Sequence, residues 1–213
     1  MDYEKSLSRH DLLWTQNTTF LKEAAFLGNG MIGVRILGEE QRGNRNVLRY
    51  ILGRNDVTKD KGGNFLARVP VGQLEVCFKE RVNCETKMRQ SLYDAEFTAD
   101  VRTIKGKAEL RSFVHRIEDV LVIEFKTEGE EAVRVVWNSE CDIEKCYRYT
   151  DGIIEDYYIP EMTVERKEIG GVSLGIQKYS DYEGCTFAWK EIQPEKNHKI
   201  FYGCLLNGAT EIL

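Results

Sequence analysis

The stretch Tyr93-Asp94-Ala95-Glu96-Phe97-Thr98-Ala99-Asp100-Val101-Arg102 alternates five apolar with five polar residues over ten positions. Successive side chains of a strand point to opposite faces, so this segment turns one face to a core and the other to water. A period of 3.6 would scatter the same apolar residues around a helix and leave it without a buried stripe.

Outward from this stretch the pattern repeats. β-favouring runs occupy 31–37, 47–52, 73–79, 108–115, 120–127, 132–137, 162–167, 172–177, 185–192 and 199–206. With the opening stretch they make about a dozen strands, and their regular spacing predicts an all-β antiparallel sandwich or barrel. Ile104-Lys105-Gly106-Lys107, Thr127-Glu128-Gly129-Glu130 and Glu168-Ile169-Gly170-Gly171 each place glycine where a hairpin needs positive φ. Val120-Leu121-Val122-Ile123 is apolar on both faces and reads as a central strand. Two long polar loops, 54–64 and 141–161, are where a rigid β scaffold usually carries binding. Residues 1–26 read as an N-terminal strap, with a helical turn or extended piece over 21–27, and residues 27–213 as one β domain. There is no internal repeat.

The chain has 213 residues, with 30 Lys and Arg against 35 Asp and Glu for a net charge of −5. That balance argues against a nucleic-acid-binding face. No run approaches the ~18 apolar residues of a membrane-spanning helix. The N-terminus, MDYEKSLSRHDLLW, has neither the basic nor the apolar region of a signal peptide. A cytoplasmic protein and an exported one whose signal lies outside this sequence both fit. Cys77, Cys84, Cys141, Cys146, Cys185 and Cys204 form no CxxC and have no nearby histidine, so no zinc site is expected. They read as reduced structural thiols, Cys77 and Cys204 buried in apolar runs, with a Cys141/Cys146 loop disulfide as the exception.

Gly28-Asn29-Gly30-Met31-Ile32-Gly33 has GxGxxG spacing, but a strand, Val34-Arg35-Ile36-Leu37, follows where a dinucleotide site needs a helix N-terminus. It reads as a tight turn entering a strand, and no cofactor is expected. Acid/base work on a sugar needs two carboxylates at fixed separation, and the sequence singles out no pair. Glu39-Glu40 and Glu128-Glu130-Glu131 read as solvated turns. His10, His115 and His198 are isolated; His115 ends a strand and reads as structural, the one histidine expected on an inner strand. Tyr147, Tyr149, Tyr157 and Tyr158 cluster with Asp151, Glu155, Asp156 and Glu161. Aromatic rings stack on sugar C–H faces and carboxylates accept from hydroxyls, so this loop suits glycan contact; the competing reading has these tyrosines finishing strand edges.

Further segments carry a resemblance. Asp11-Leu12-Leu13-Trp14, Leu27-Gly28-Asn29-Gly30 with Ile32-Gly33, and Gly53-Arg54-Asn55-Asp56-Val57 are followed by Arg68-Val69-Pro70-Val71-Gly72-Gln73-Leu74, Arg89-Gln90-Ser91-Leu92-Tyr93-Asp94-Ala95 and Asp119-Val120-Leu121-Val122-Ile123. In this order they resemble the N-terminal β-sandwich domain of family ninety-five glycoside hydrolases of the α-fucosidase type, and more closely a related N-terminal domain of Bacteroides glycosidases. Val57-Thr58-Lys59-Asp60 stands where a tryptophan-bearing loop is expected. The resemblance implies a supersandwich of the galactose mutarotase type, packed against a C-terminal (α/α)6 barrel that holds the catalytic carboxylates. It implies no catalytic residue in this chain. The expected function is then a non-catalytic domain that supports the barrel, with Asn29, Arg54, Asn55 and Asp56 at the rim or interface. A free-standing carbohydrate-binding protein using Tyr157 and Tyr158, and a mutarotase-like or epimerase-like sugar enzyme, are the alternatives. The last needs a general acid/base pair on its concave sheet, and no His/Glu pair stands out in the sequence.

Overall fold

A computed structural model describes residues 2–15, 21–39, 47–60, 66–68, 71–139, 147–150, 153–156, 162–179 and 182–208. Helix α1 (Tyr3–Leu7) leads into β1 (Leu12–Trp14), β2 (Ala25–Gly28), β3 (Ile32–Glu39), β4 (Val47–Arg54), β5 (Thr58–Asp60), β6 (Leu66–Arg68) and β7 (Gln73–Phe78). Then come β8 (Val82–Ser91), β9 (Glu96–Thr103), β10 (Gly106–Val114), β11 (Val120–Gly129), β12 (Val133–Asn138), β13 (Tyr147–Thr150) and β14 (Ile153–Asp156). Strands β15 (Met162–Ile169), β16 (Val172–Tyr179), β17 (Tyr182–Glu195) and β18 (His198–Asn207) close the chain.

Two antiparallel sheets dominate. One has nine strands in the order β1-β8-β9-β10-β11-β18-β17-β16-β15, the other five in the order β12-β7-β4-β3-β2. The all-β sandwich expected from the alternation is therefore present, as open sheets and not a closed barrel. Every run read as a strand is one. Strand β11 is fifth of nine, as its two apolar faces require, while β9 begins three residues later than its pattern suggests because Ala95 turns at φ 55°. Gly129, Gly170 and Gly171 have positive φ as expected; Gly106 does not, and is needed because a Cβ there would lie 2.1 Å from the Glu128 carbonyl oxygen.

The core lies between the sheets. Val34, Tyr50, Leu52, Leu74 and Val76 from the five-stranded sheet meet Phe97, Ile123, Phe125, Phe187 and Phe201 from the nine-stranded one. The Tyr50 hydroxyl crosses the gap to Ser112 Oγ at 2.9 Å, and its ring stands edge-on to Phe97 at 6.5 Å. Farther along, Trp137 of β12 stacks on Phe187 and tilts against Trp189 of β17. Gly175 lets it approach, since a Cβ there would lie 2.2 Å from the indole.

Strand β8 is absent from the sequence reading because its inward residues include Thr86 and Gln90 beside Met88. Polar side chains on the buried face hide the alternation. The first 28 residues supply an edge strand to each sheet: β1 pairs with β8 and β2 with β3. Asp11, whose side chain is 5% exposed, accepts from Leu92 N–H at 2.9 Å and from Arg89 Nε at 2.8 Å. Those bonds join two of the segments that carry the resemblance, and they hold the Asp11 carboxyl below its usual range, the Leu92 amide contributing most.

Glu131 corrects the solvated-turn reading. It is 6% exposed, and its carboxylate accepts from the amides of Lys79, Glu80 and Ala132 at 2.8, 3.3 and 3.0 Å. Glu128 and Glu130 are exposed as expected. Cys77 and Cys204 are half-buried, and Cys185 is buried with its thiol on Gln177 Oε1. Cys141 and Cys146 lie outside the described residues. No helix among the described residues is long and apolar enough to cross a membrane.

Candidate functional site

Asn29, Arg54, Asn55 and Asp56 come together at one end of the sandwich, on the β2–β3 turn and at the end of β4. Gly30, at φ 95°, tightens the first turn and lets Asn29 Oδ1 accept from the amides of Met31 and Ile32, both at 2.9 Å. The Asn29 Nδ2 donates to the carbonyls of His115 and Glu118, at 3.1 and 3.3 Å, in the β10–β11 turn of the other sheet. Asn55 N–H donates to the Met31 carbonyl at 2.8 Å.

Arg54 is the centre of this clasp. Its side chain is 11% exposed, and Nε donates to Asp56 Oδ1 at 2.7 Å while Nη2 donates to Oδ2 at 3.2 Å. Nη1 reaches across the sandwich to Asp119 Oδ2 and to the Leu205 carbonyl, each at 2.6 Å. Burial opposes its charge, but the hydrogen bonds and charges of Asp56 and Asp119 outweigh that and hold the guanidinium proton more tightly than usual. The same environment raises the Cys204 thiol, through burial first and the Asp119 charge second. Four of the five N–H groups of Arg54 are committed to three acceptor groups, so the guanidinium ties turns together and keeps a single Nη2–H beyond those bonds. Met31 and Ile117 are exposed on the two turns that Asn29 joins, Ile117 at 71%.

The expected inner-strand placement of His115 is not observed. It is exposed just past β10, and its Nδ1 accepts from Glu118 N–H at 3.0 Å. The GxGxxG segment is a β2–β3 hairpin, as its sequence context requires. Tyr157 and Tyr158 lie outside the described residues. Tyr147 and Tyr149 fall on β13, paired with β14.

A second feature has no counterpart in the sequence reading. The outward face of the nine-stranded sheet holds a recess of about 480 Å³ between β1 and β11. Two register rows cross it. One is Leu13, Arg89, Thr98, Arg111 and Glu124; the other is Lys87, Asp100, Glu109 and Lys126, followed by His198. In the first row Arg89 is held by Asp11, and Arg111 by Glu96 above all and by Glu124. His198 Nε2 lies 2.7 Å from Glu124 Oε1, so the structure does assemble a His/Glu pair on this face. In the second row Asp100 Oδ1 is shielded from solvent and accepts no hydrogen bond among the described residues. These residues are the polar half of alternating strands. Their convergence depends on hairpin register, which single-strand patterning does not contain. Among the described residues no group of His, Cys, Asp and Glu is arranged to hold a metal ion.

No protein-family model and no curated protein matches this chain.

Proposed function

We propose that this chain is a non-catalytic β-sandwich domain of a glycoside hydrolase, and that its clasped end buttresses an (α/α)6 catalytic barrel in the same polypeptide. The observation that carries this reading is the join between the sheets. Asn29 and Arg54 bond turns of the five-stranded sheet to Glu118, Asp119 and Leu205 of the nine-stranded one. The result is a stiff platform bearing the exposed apolar side chains of Met31 and Ile117. Interfaces pair an apolar centre with a polar rim, and stiff surfaces lose little entropy on docking. Asn55 and Asp56, both exposed, supply the rim. In this role Arg54 and Asp56 position backbone and do not touch the reacting sugar.

The test uses the whole open reading frame that encodes this chain. Ile117→Asp and Met31→Asp are introduced there, and limited proteolysis and hydrolysis of aryl glycosides are measured. Faster cleavage between domains, with activity reduced several-fold, is the expected result. A reading frame without a helical catalytic region, or unchanged proteolysis in both variants, refutes the proposal.

A further inference from the structure

The recess on the outward face of the nine-stranded sheet is separate from the clasped end, and nothing in the buttress role uses it. We infer that it is a binding site for a neutral saccharide. Four cationic and three anionic side chains line it, so its charges nearly cancel. A polyanion or a polycation would meet repulsion as well as attraction across the same few ångströms. A hydroxyl group both donates and accepts, and a ring with several of them matches a surface where donors and acceptors alternate.

The second register row offers that alternation. Lys87, Asp100, Glu109 and Lys126 stand side by side on four neighbouring strands, cation, carboxylate, carboxylate, cation. Two carboxylates directly opposite on adjacent strands destabilise a sheet, so their retention at the floor of a cavity asks for a ligand that donates to them. Asp100 adds weight because its shielded Oδ1 lacks a donor among the described residues, a deficit that native proteins rarely leave unmet. Lys87 and Lys126 make no ion pair among the described residues and are available to sugar oxygens. Leu13, 72% exposed on β1, forms an apolar rim against which the C–H face of a ring packs.

Affinity electrophoresis of the 213-residue chain tests this with dextran, galactomannan and xyloglucan as neutral probes and heparin as a polyanion. Retardation by at least one neutral polysaccharide is expected, weakened roughly tenfold or more by Asp100→Asn and by Lys126→Ala, each of which removes a charged hydrogen-bonding group. Ile117→Ser, at the other site, leaves it unchanged. Asp100→Asn is nearly isosteric, and a far-UV spectrum matching the parent shows that the fold is intact. Absence of retardation by every neutral probe overturns the inference, as does retardation by heparin alone or neutral binding that survives both variants. These outcomes are independent of whether the clasped end docks a barrel.

Discussion

Replacing Arg54 with alanine tests the clasp most directly. The bonds to Asp56 contribute little, because that carboxylate is 37% exposed and solvent screens such pairs to under about 1 kcal/mol. The bonds to Asp119 and to the Leu205 carbonyl are better shielded. A hydrogen bond from a charged donor contributes about 1.5 kcal/mol or more, and truncation leaves both acceptors without their partner. The expected loss is about 3 kcal/mol, which for a chain of this length lowers Tm by roughly 6–12 °C. Urea unfolding followed by far-UV circular dichroism supplies ΔG, and thermal melts supply Tm. Arg54→Lys keeps the charge but not the fork, so it should fall between parent and alanine. A loss below 1 kcal/mol in Arg54→Ala would refute the claim that this side chain bonds the sheets together.

Gly175→Ala pushes a methyl group into the Trp137 ring, and overpacking of this kind typically costs ~1–3 kcal/mol; a urea midpoint equal to the parent's would show that the indole yields freely. Glu131→Ala strands three backbone amides and should cost about 2–3 kcal/mol, with Glu131→Gln recovering part of it, measured by the same unfolding curves. Burial pushes the Cys185 thiol up to about 12 from 9.0 and raises the Tyr50 phenol above its ordinary 10.0 against the opposing Ser112 bond. Both groups hold their protons more tightly folded than unfolded, so stability is full below pH 9 and falls as pH rises toward the folded values. Stability measured from pH 7 to 11 should therefore decline on the alkaline side, and the double variant Tyr50→Phe, Cys185→Ser should flatten that decline.

Much of the fold is legible because burial and alternation coincide in strands such as β9, where Phe97, Ala99 and Val101 all face the core. Strand β8 escapes notice because Gln90, buried at 3%, does structural work: its Oε1 accepts from Phe26 N–H of edge strand β2. A polar residue that satisfies a neighbouring strand looks identical in sequence to one that faces water. The clasped end is legible in part. Glycine-flanked turns bring Asn29, Arg54 and Asp56 to one place, but Asp119 and the Leu205 carbonyl enter from 65 and 151 residues away. The recess is illegible for the same reason, since Lys87, Asp100, Glu109 and Lys126 become neighbours only after three hairpins have fixed their register.

The pairing of Trp137 with Trp189 equips the sandwich with its own optical gauge. Their rings lie 5.7 Å apart, one on each sheet, and the chain has only three tryptophans. Transition dipoles at that separation couple, so the two indoles should produce an exciton couplet in the circular-dichroism spectrum. The couplet disappears when the sheets separate, even if each sheet keeps its hydrogen bonds. Comparing its loss with the loss of strand signal reports whether this molecule first opens between its layers or frays within them, with no label attached.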